Sequence, residues 1–345
     1  MEIYPSFQYS GGTFMKRILS ALVAVALAFG MAACGAPAAS TSAPASSAAA
    51  SSAASASASG ETAAAAKPTE DRSGAAITLP DNVETVISMA PSITQTLMDL
   101  GCTDQIIALD ANSAKMENAP QGLPVFDMMT PDAEQMATLV PDVILVSSIS
   151  SSGGENPFQP LQELGATVVC IPTSSSIEDI YEDVTFLGQV MGKTERAAEI
   201  NETLKAEIDR IAALGASIPE DQRKTVYFEI SAAPSAYSTG SGTYMDEMIS
   251  LIGANNMMAD KAEGWTSVDS EVVVSGNPDV ILTNVDYIED PVGEIKSREG
   301  WEAVTAVKNG DVYQIDKQSS SLPNENIVTA LEEMGKAVYP EVFGE

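Results

Sequence analysis

Few residues here could do covalent or metal chemistry, because the 345-residue chain contains no histidine. Without imidazole there is no ordinary Ser-His or Cys-His nucleophile pair. Neither a G-x-S-x-G elbow nor a phosphate-binding G-x-x-x-x-G-K-[ST] loop is present. Zinc and manganese sites that rely on imidazole are equally disfavoured, and three cysteines form no metal-binding cluster. Paired carboxylates could hydrolyse a glycoside, but with 48 acidic residues any pairing is uninformative. The expectation is a non-enzyme that needs no cofactor. What remains is binding chemistry. Tyr237, Tyr244, Trp265 and Tyr287 could bury a flat apolar chelate or macrocycle against their rings. The formal charge of −31 argues against nucleic acid and against a basic membrane-binding face.

The elements that must position these residues are announced by a duplication. Glu134 to Leu145 reads E-Q-M-A-T-L-V-P-D-V-I-L, and Glu271 to Leu282 reads E-V-V-V-S-G-N-P-D-V-I-L. In both copies a Glu opens a helix-like run, Pro-Asp follows, and Val-Ile-Leu reads as a buried strand. Two similar αβ lobes are implied, and such chains keep their ligand in the cleft between lobes. Around the repeats, strands and helices alternate: strand Val83 to Met89, helix Ile93 to Leu100, strand Ile106 to Leu109, helix from Pro131 or Asp132 to Leu139, strand Val143 to Ser147, strand Thr167 to Ile171. Ser176 is placed to cap a helix running to Met191. A longer helix from Thr194 to about Leu214 carries Ala197, Ile200, Leu204, Ile208 and Ile211 on one face and reads as an interlobe spine. The second lobe repeats the theme with strands Thr225 to Ile230, Val280 to Thr283 and Asp311 to Ile315. Its helices are Tyr244 to Ile252, Val292 to Lys296 and a final Asn324 to Val338. Cys102 and Cys170 read as apolar thiols rather than a bridge.

The N-terminal third carries targeting information. Met15-Lys16-Arg17 is basic, Ile18 to Met31 is apolar, and Met31-Ala32-Ala33-Cys34 supplies small residues before a cysteine. This looks like a bacterial lipoprotein signal, too short to span a bilayer comfortably, with Cys34 as the lipidated mature N-terminus. Met15 is the expected true start. From Gly35 to Ala66 nearly every residue is Ala, Ser, Gly, Pro or Thr, which cannot build a core and reads as a solvated tether. Two or more acyl chains on Cys34 would give stable anchoring.

Within the remaining domain the residues resemble a known family, the Fe/B12 periplasmic-binding proteins that deliver vitamin B12, ferric siderophores or haem to ABC importers. The carriers are Val86-Ile87-Ser88-Met89-Ala90-Pro91-Ser92-Ile93-Thr94, the two Glu-to-Pro-Asp units, Gly240-Ser241-Gly242-Thr243-Tyr244-Met245-Asp246-Glu247, Ser297-Arg298-Glu299-Gly300-Trp301, and Ala306-Val307-Lys308-Asn309-Gly310-Asp311-Val312-Tyr313. The resemblance covers roughly Val83 to Phe343. It implies an α/β, helical-backbone (class III) fold of two αβ lobes bridged by one long helix. The expected layout is a signal peptide over 1–33, a lipidated Cys and tether over 34–78, an N-terminal lobe over 79–193, the interlobe helix over 194–215 and a C-terminal lobe over 216–345. It also implies that Glu134 and Glu271 each meet arginines on a permease, like two pegs in two sockets. A glutamate at a helix N-terminus is stabilised there in any case.

Ligand contacts are expected in loops at the carboxyl ends of strands, with Ser92, Met128, Tyr237, Tyr244, Trp265 and Tyr287 as candidates. Met128 falls where the family's vitamin B12 binder has a contacting Trp. Those loops hold only two basic residues, Lys115 and Lys317, against Asp110, Asp127, Glu155, Glu229, Asp286 and Asp316. An anionic ferric catecholate is poorly served by that lining, whereas a neutral or cationic iron chelate or a corrinoid tolerates it. Haem is the weaker option, its iron left to Tyr or Met. The expected partners are the ligand, an ABC permease with its ATPase, and the membrane through Cys34. The chain is expected to be a monomer on the extracytoplasmic side; a tethered sensor or scaffold without transport is the alternative.

Overall fold

The structure is a computed structural model, and it describes residues 67–151 and 153–344. The signal segment, Cys34 and the tether as far as residue 66 lie outside the described residues; residues 67–78, assigned to the tether, include Asp71, which accepts the Cys170 amide at 3.0 Å, and Arg72, which pairs with Asp183 at 2.7 Å. The N-terminal lobe contains β1 (Val86–Ser88), α1 (Pro91–Asp99), β2 (Ile106–Asp110), β3 (Val125–Phe126), α2 (Ala133–Thr138), β4 (Val143–Ser147), α3 (Gln159–Glu163), β5 (Val168–Ile171) and α4 (Ile177–Val190). Its five strands are all parallel in the order β3-β2-β1-β4-β5. The buried, β-branched β4 fits the middle of such a sheet, where both faces are covered by helices.

Helix α5 (Thr194–Ala216) leads to the C-terminal lobe. That lobe contains β6 (Thr225–Glu229), β7 (Tyr237–Thr239), α6 (Tyr244–Leu251), β8 (Asn255–Asn256), β9 (Trp265–Ser267), α7 (Ser270–Gly276), β10 (Val280–Thr283), α8 (Pro291–Lys296), α9 (Thr305–Asn309), β11 (Val312–Gln314), α10 (Lys317–Ser321), α11 (Ile327–Val338) and α12 (Pro340–Phe343). Four strands form a parallel sheet in the order β11-β10-β6-β8, and β7 pairs with β9 in a separate antiparallel ribbon.

The duplicated units occupy the same place in both sheets. Each consists of a short helix, α2 or α7, feeding a strand, β4 or β10, that lies beside the first strand of its lobe, β1 or β6. The repeated Asp has a visible task. Asp142 Oδ2 accepts the amides of Glu84 and Thr85 at 2.8 and 2.9 Å. Asp279 Oδ2 accepts the Thr225 amide at 2.8 Å. Each carboxylate therefore pins the start of the first strand to the start of its neighbour. The residue before each Pro-Asp, Val140 or Asn277, turns through a left-handed conformation with φ of 48° and 46°.

The spine residues read from the sequence are all buried on one face of α5. Ala197 and Ile200 pack into the core of the N-terminal lobe, while Leu204, Ile208 and Ile211 pack into that of the C-terminal lobe. One continuous hydrogen-bond ladder thus contributes to both cores. Helix α4 adds to the same joint: Ile177 and Ile180 sit in the C-terminal core, and the Ile177 amide donates to Glu247 Oε2 at 2.8 Å. Ser176 caps α4 with a full capping box, accepting from the Asp179 amide at 3.1 Å and donating its own amide to the Asp179 carboxylate at 3.0 Å.

Several boundaries differ from expectation. The helix expected from Asn324 begins at Ile327 instead, because the Asn324 side chain accepts from the Asn326 amide at 2.9 Å, and a separate short helix, α10, precedes it. The ribbon of β7 and β9 falls in what read as loop, since three-residue strands carry too little alternation to be seen. Cys102 is buried, Cys170 half-buried, and both are free; burial first of all pushes both thiols up from their ordinary value.

Candidate functional site

In each sheet the strand order reverses beside the first strand, at β1/β4 in one lobe and β6/β10 in the other. The crevice outside the carboxyl ends of those strands is where open α/β sheets bind ligands. On the N-terminal lobe that crevice is set by a chain of buried hydroxyls. Ser88 Oγ lies 2.7 Å from Thr94 Oγ1, which donates to Ser113 Oγ at 2.9 Å, and Ser113 is bonded to Asp110. Asp110 also accepts the amides of Asn112 and Ser113 at 2.8 and 3.1 Å. Half-buried Ser92, expected in a loop, lies in the first turn of α1, and Thr94 of the same helix ties that turn to the loop after β2. Met128 is half-buried on the next loop, its sulfur 4.0 Å from Asn112 Nδ2, while Met129 and Ile149 are exposed.

The C-terminal lobe contributes rings. Tyr237 and Trp265 project from paired strands β7 and β9, are 40% and 39% exposed, and are linked by a bond from Tyr237 Oη to the Trp265 carbonyl at 3.3 Å. Tyr287 is 63% exposed, and its hydroxyl accepts the Ala232 amide at 2.8 Å, which fixes the ring beside the loop leading to β7. Tyr244 is different. It is 2% exposed, donates to the Ser320 carbonyl at 3.0 Å, and stacks edge-on against Trp265 with centroids 5.6 Å apart. Tyr244 backs the Trp265 ring and presents no open surface of its own. A second polar network holds this half: Asn284 Nδ2 donates to Ser320 Oγ and Ser321 Oγ, each at 3.0 Å. These hydroxyl networks were not singled out from the sequence, where Ser and Thr in loops look interchangeable.

The charge count needs correction. Glu229 is fully buried and grips Arg298 through two bonds, of 2.6 and 2.7 Å. Arg298 also bonds to Glu294 and lies over the Trp301 ring at 4.7 Å. Burial opposes the Arg298 charge, but the bonds to Glu229 and Glu294 together hold the guanidinium above its ordinary value. Asp110 is likewise fully buried within its turn. Neither carboxylate is a lining charge. Asp316 caps α10 by accepting the Ser319 amide at 2.7 Å, and Lys317 is neutralised by Asp286 and lies over the Tyr287 ring at 5.9 Å. The cleft is therefore closer to neutral than a tally of its loops implies, and its basic side is weaker still.

Glu134 and Glu271 are both exposed in the first turns of α2 and α7, and among the described residues neither takes part in an ion pair. Each sits at the matching point of its lobe. A groove of about 770 Å³ runs elsewhere, along α5 between α4 and α6, and holds none of the six candidate ligand residues. Among the described residues no cluster of acidic residues and cysteines could hold a metal ion, and no helix is long and apolar enough to cross a membrane.

Comparison with known proteins agrees with this architecture. An uncharacterized ABC transporter substrate-binding lipoprotein of Bacillus subtilis (strain 168) is 28% identical over 276 residues, covering 80% of this chain and 86% of that one. A cobalamin-binding protein of Halobacterium salinarum is 26% identical over 278 residues, covering 78% and 73%. The molybdate periplasmic binding protein of Haemophilus influenzae superposes with a TM-score of 0.68 at 21% identity, over 79% of this chain and 91% of that one, which shows a shared fold. The profile described as periplasmic binding protein matches residues 86–319, a span that runs from β1 through the interlobe helix into α10. Two parallel sheets, each with its own crevice, on a helix common to both cores thus have a family to go with them: the chain belongs to the periplasmic binding proteins, a family that binds substrates rather than transforming them.

Proposed function

We propose that this protein is the substrate-binding lipoprotein of an ABC importer, which captures a neutral or cationic iron chelate or a corrinoid between its lobes and delivers it to the permease. The observation that carries this reading is the matched pair of exposed glutamates, one per lobe, each at the start of the helix that feeds the strand beside the crevice. Two surface carboxylates on separate rigid bodies can steer docking and set orientation without a large buried area. The exposed Tyr237, Trp265 and Tyr287 rings supply apolar area for a flat ligand.

The test uses Glu134→Ala, Glu271→Ala and the double variant. Ligand affinity should stay within about twofold, while transport coupling falls, most in the double variant, because rim charges act on encounter more than on a distant cleft. A large loss of ligand binding in a folded single variant would show that the glutamates are misplaced in this reading. Lipid anchoring through Cys34 is part of the same proposal. Cys34→Ser should move the protein from the detergent phase to the aqueous phase, and unchanged partitioning would refute the anchor.

A further inference from the structure

The two lobes also meet at a seam where two carboxylates face each other without a cation. Asp99 ends α1 in the N-terminal lobe, and Glu325 lies between α10 and α11 in the other. Thr96 Oγ1 donates across the seam to Glu325 Oε2 at 2.9 Å. Thr96 stands three residues before Asp99 on α1, so the two side chains share a helix face and the Asp99 carboxyl is brought to the same seam as Glu325. Asp99 Oδ2 already accepts Gln95 Nε2 at 2.8 Å and Asn326 Nδ2 at 3.5 Å. Glu325 Oε1, by contrast, is enclosed and has no donor. An enclosed carboxyl oxygen with no donor is where a proton belongs.

The other ionisable groups around the seam are engaged elsewhere. Arg196 of α5 donates to the Asp99 carbonyl rather than its carboxylate and pairs with Glu199. On α11, Glu332 is taken by Arg210 and Lys336, and Glu333 by the Asp316 amide; on α10, Lys317 pairs with Asp286. Among the described residues no lysine or arginine forms an ion pair with either Asp99 or Glu325.

We propose that Glu325 is a positioning residue whose carboxylic acid donates to Asp99, so that one proton shared between the lobes sets their spacing and hence the width of the cleft. The link to the cleft is direct in the chain. Helix α1 carries Ser92 in its first turn, and α10, five residues long and just before Glu325, begins at the Asp316 cap beside Lys317. Gln318 reaches Gln95 at 3.4 Å along the same seam. Burial, and then the neighbouring Asp99, push the Glu325 carboxyl up to about 8. The proton is present at neutral pH and leaves as pH rises through that value, when two like charges must share the seam.

The seam is read by hydrogen-exchange protection in the ligand-free protein from about pH 6.5 to about pH 9.5, corrected for intrinsic exchange. Protection of the last turn of α1 and the first turn of α11 should fall roughly tenfold around pH 8, with the middle of α5 unchanged as an internal reference. Glu325→Gln keeps a donor and cannot ionise, so it should hold protection level across the range. A flat wild-type profile would overturn the proposal, and so would the same transition in Glu325→Gln. The effect on the cleft rests on the importer reading above and is measured with cyanocobalamin: affinity should drop severalfold above about pH 8 in the wild type and stay level in Glu325→Gln. Level wild-type affinity beside falling protection would sever seam from cleft. Cyanocobalamin failing to bind at every pH would count against the corrinoid reading alone, leaving the exchange profile to decide the seam.

Discussion

At the scale of single residues the duplication explains more than homology of pattern, because it assigns tasks to positions. Val140 and Asn277 occupy the same point in the two units and share a left-handed backbone, with φ of 48° and 46°. Asn adopts that region readily, whereas a β-branched side chain there is a steric outlier. Val140 is also 78% exposed, so it contributes little burial to offset the strain. Val140→Asn should therefore raise stability by about 1 kcal/mol in urea unfolding. The reverse change, Asn277→Val, should cost more than that gain. Asn277 Oδ1 also accepts the amide and hydroxyl of Thr305, at 2.8 and 3.1 Å, and both would lose their partner. A destabilised Val140→Asn variant would mean that the left-handed turn is not where the strain lies.

At the scale of elements, legibility followed length and periodicity. Helix α5 was readable because 23 residues give its stripe several turns in which to repeat, and α4 because Ser176 and Asp179 form a capping box. The buried strands β4 and β10 were readable as apolar runs after Pro-Asp. The ribbon of β7 and β9 was not, and it is the element that presents Tyr237 and Trp265. Its identity depends on pairing across 28 residues of sequence, visible as the bond from Tyr237 Oη to the Trp265 carbonyl, which no local window contains. The cleft's charge was misread for a related reason. Composition places Glu229 and Asp110 in cleft loops, but only three-dimensional contacts show that Arg298 and the turn at Ser113 have withdrawn them. Tyr244, too, looked like its neighbours in sequence and proved to be the support behind Trp265 rather than an open ring.

At the scale of the whole molecule the joint between the lobes leaves them little room to move. A helix that contributes Ala197 and Ile200 to one core and Leu204, Ile208 and Ile211 to the other cannot bend without breaking its ladder or opening a cavity. Helix α4 stiffens the joint, with Ile177 and Ile180 packed into the second core. Ligand binding should therefore change the radius of gyration by less than about 1 Å, well short of hinge-type closure. With so little remodelling, selectivity must come from side chains already in place. The accessible lining offers aromatic rings, exposed Lys115 and a second lysine that Asp286 has neutralised, and the chain as a whole carries a formal charge of −31. That field slows the approach of a trianion and does nothing to hold it once bound. Titrating the purified domain with a ferric hydroxamate, a corrinoid and a ferric catecholate at equal salt should leave the catecholate weakest, by tenfold or more on the order of a lost charge-assisted contact. Trp265 fluorescence can report binding from the cleft, since Trp301, the other tryptophan, is buried beneath Arg298. Tightest binding of the catecholate would defeat the charge argument, and a large ligand-induced contraction in solution scattering would defeat the rigid joint independently of which ligand wins.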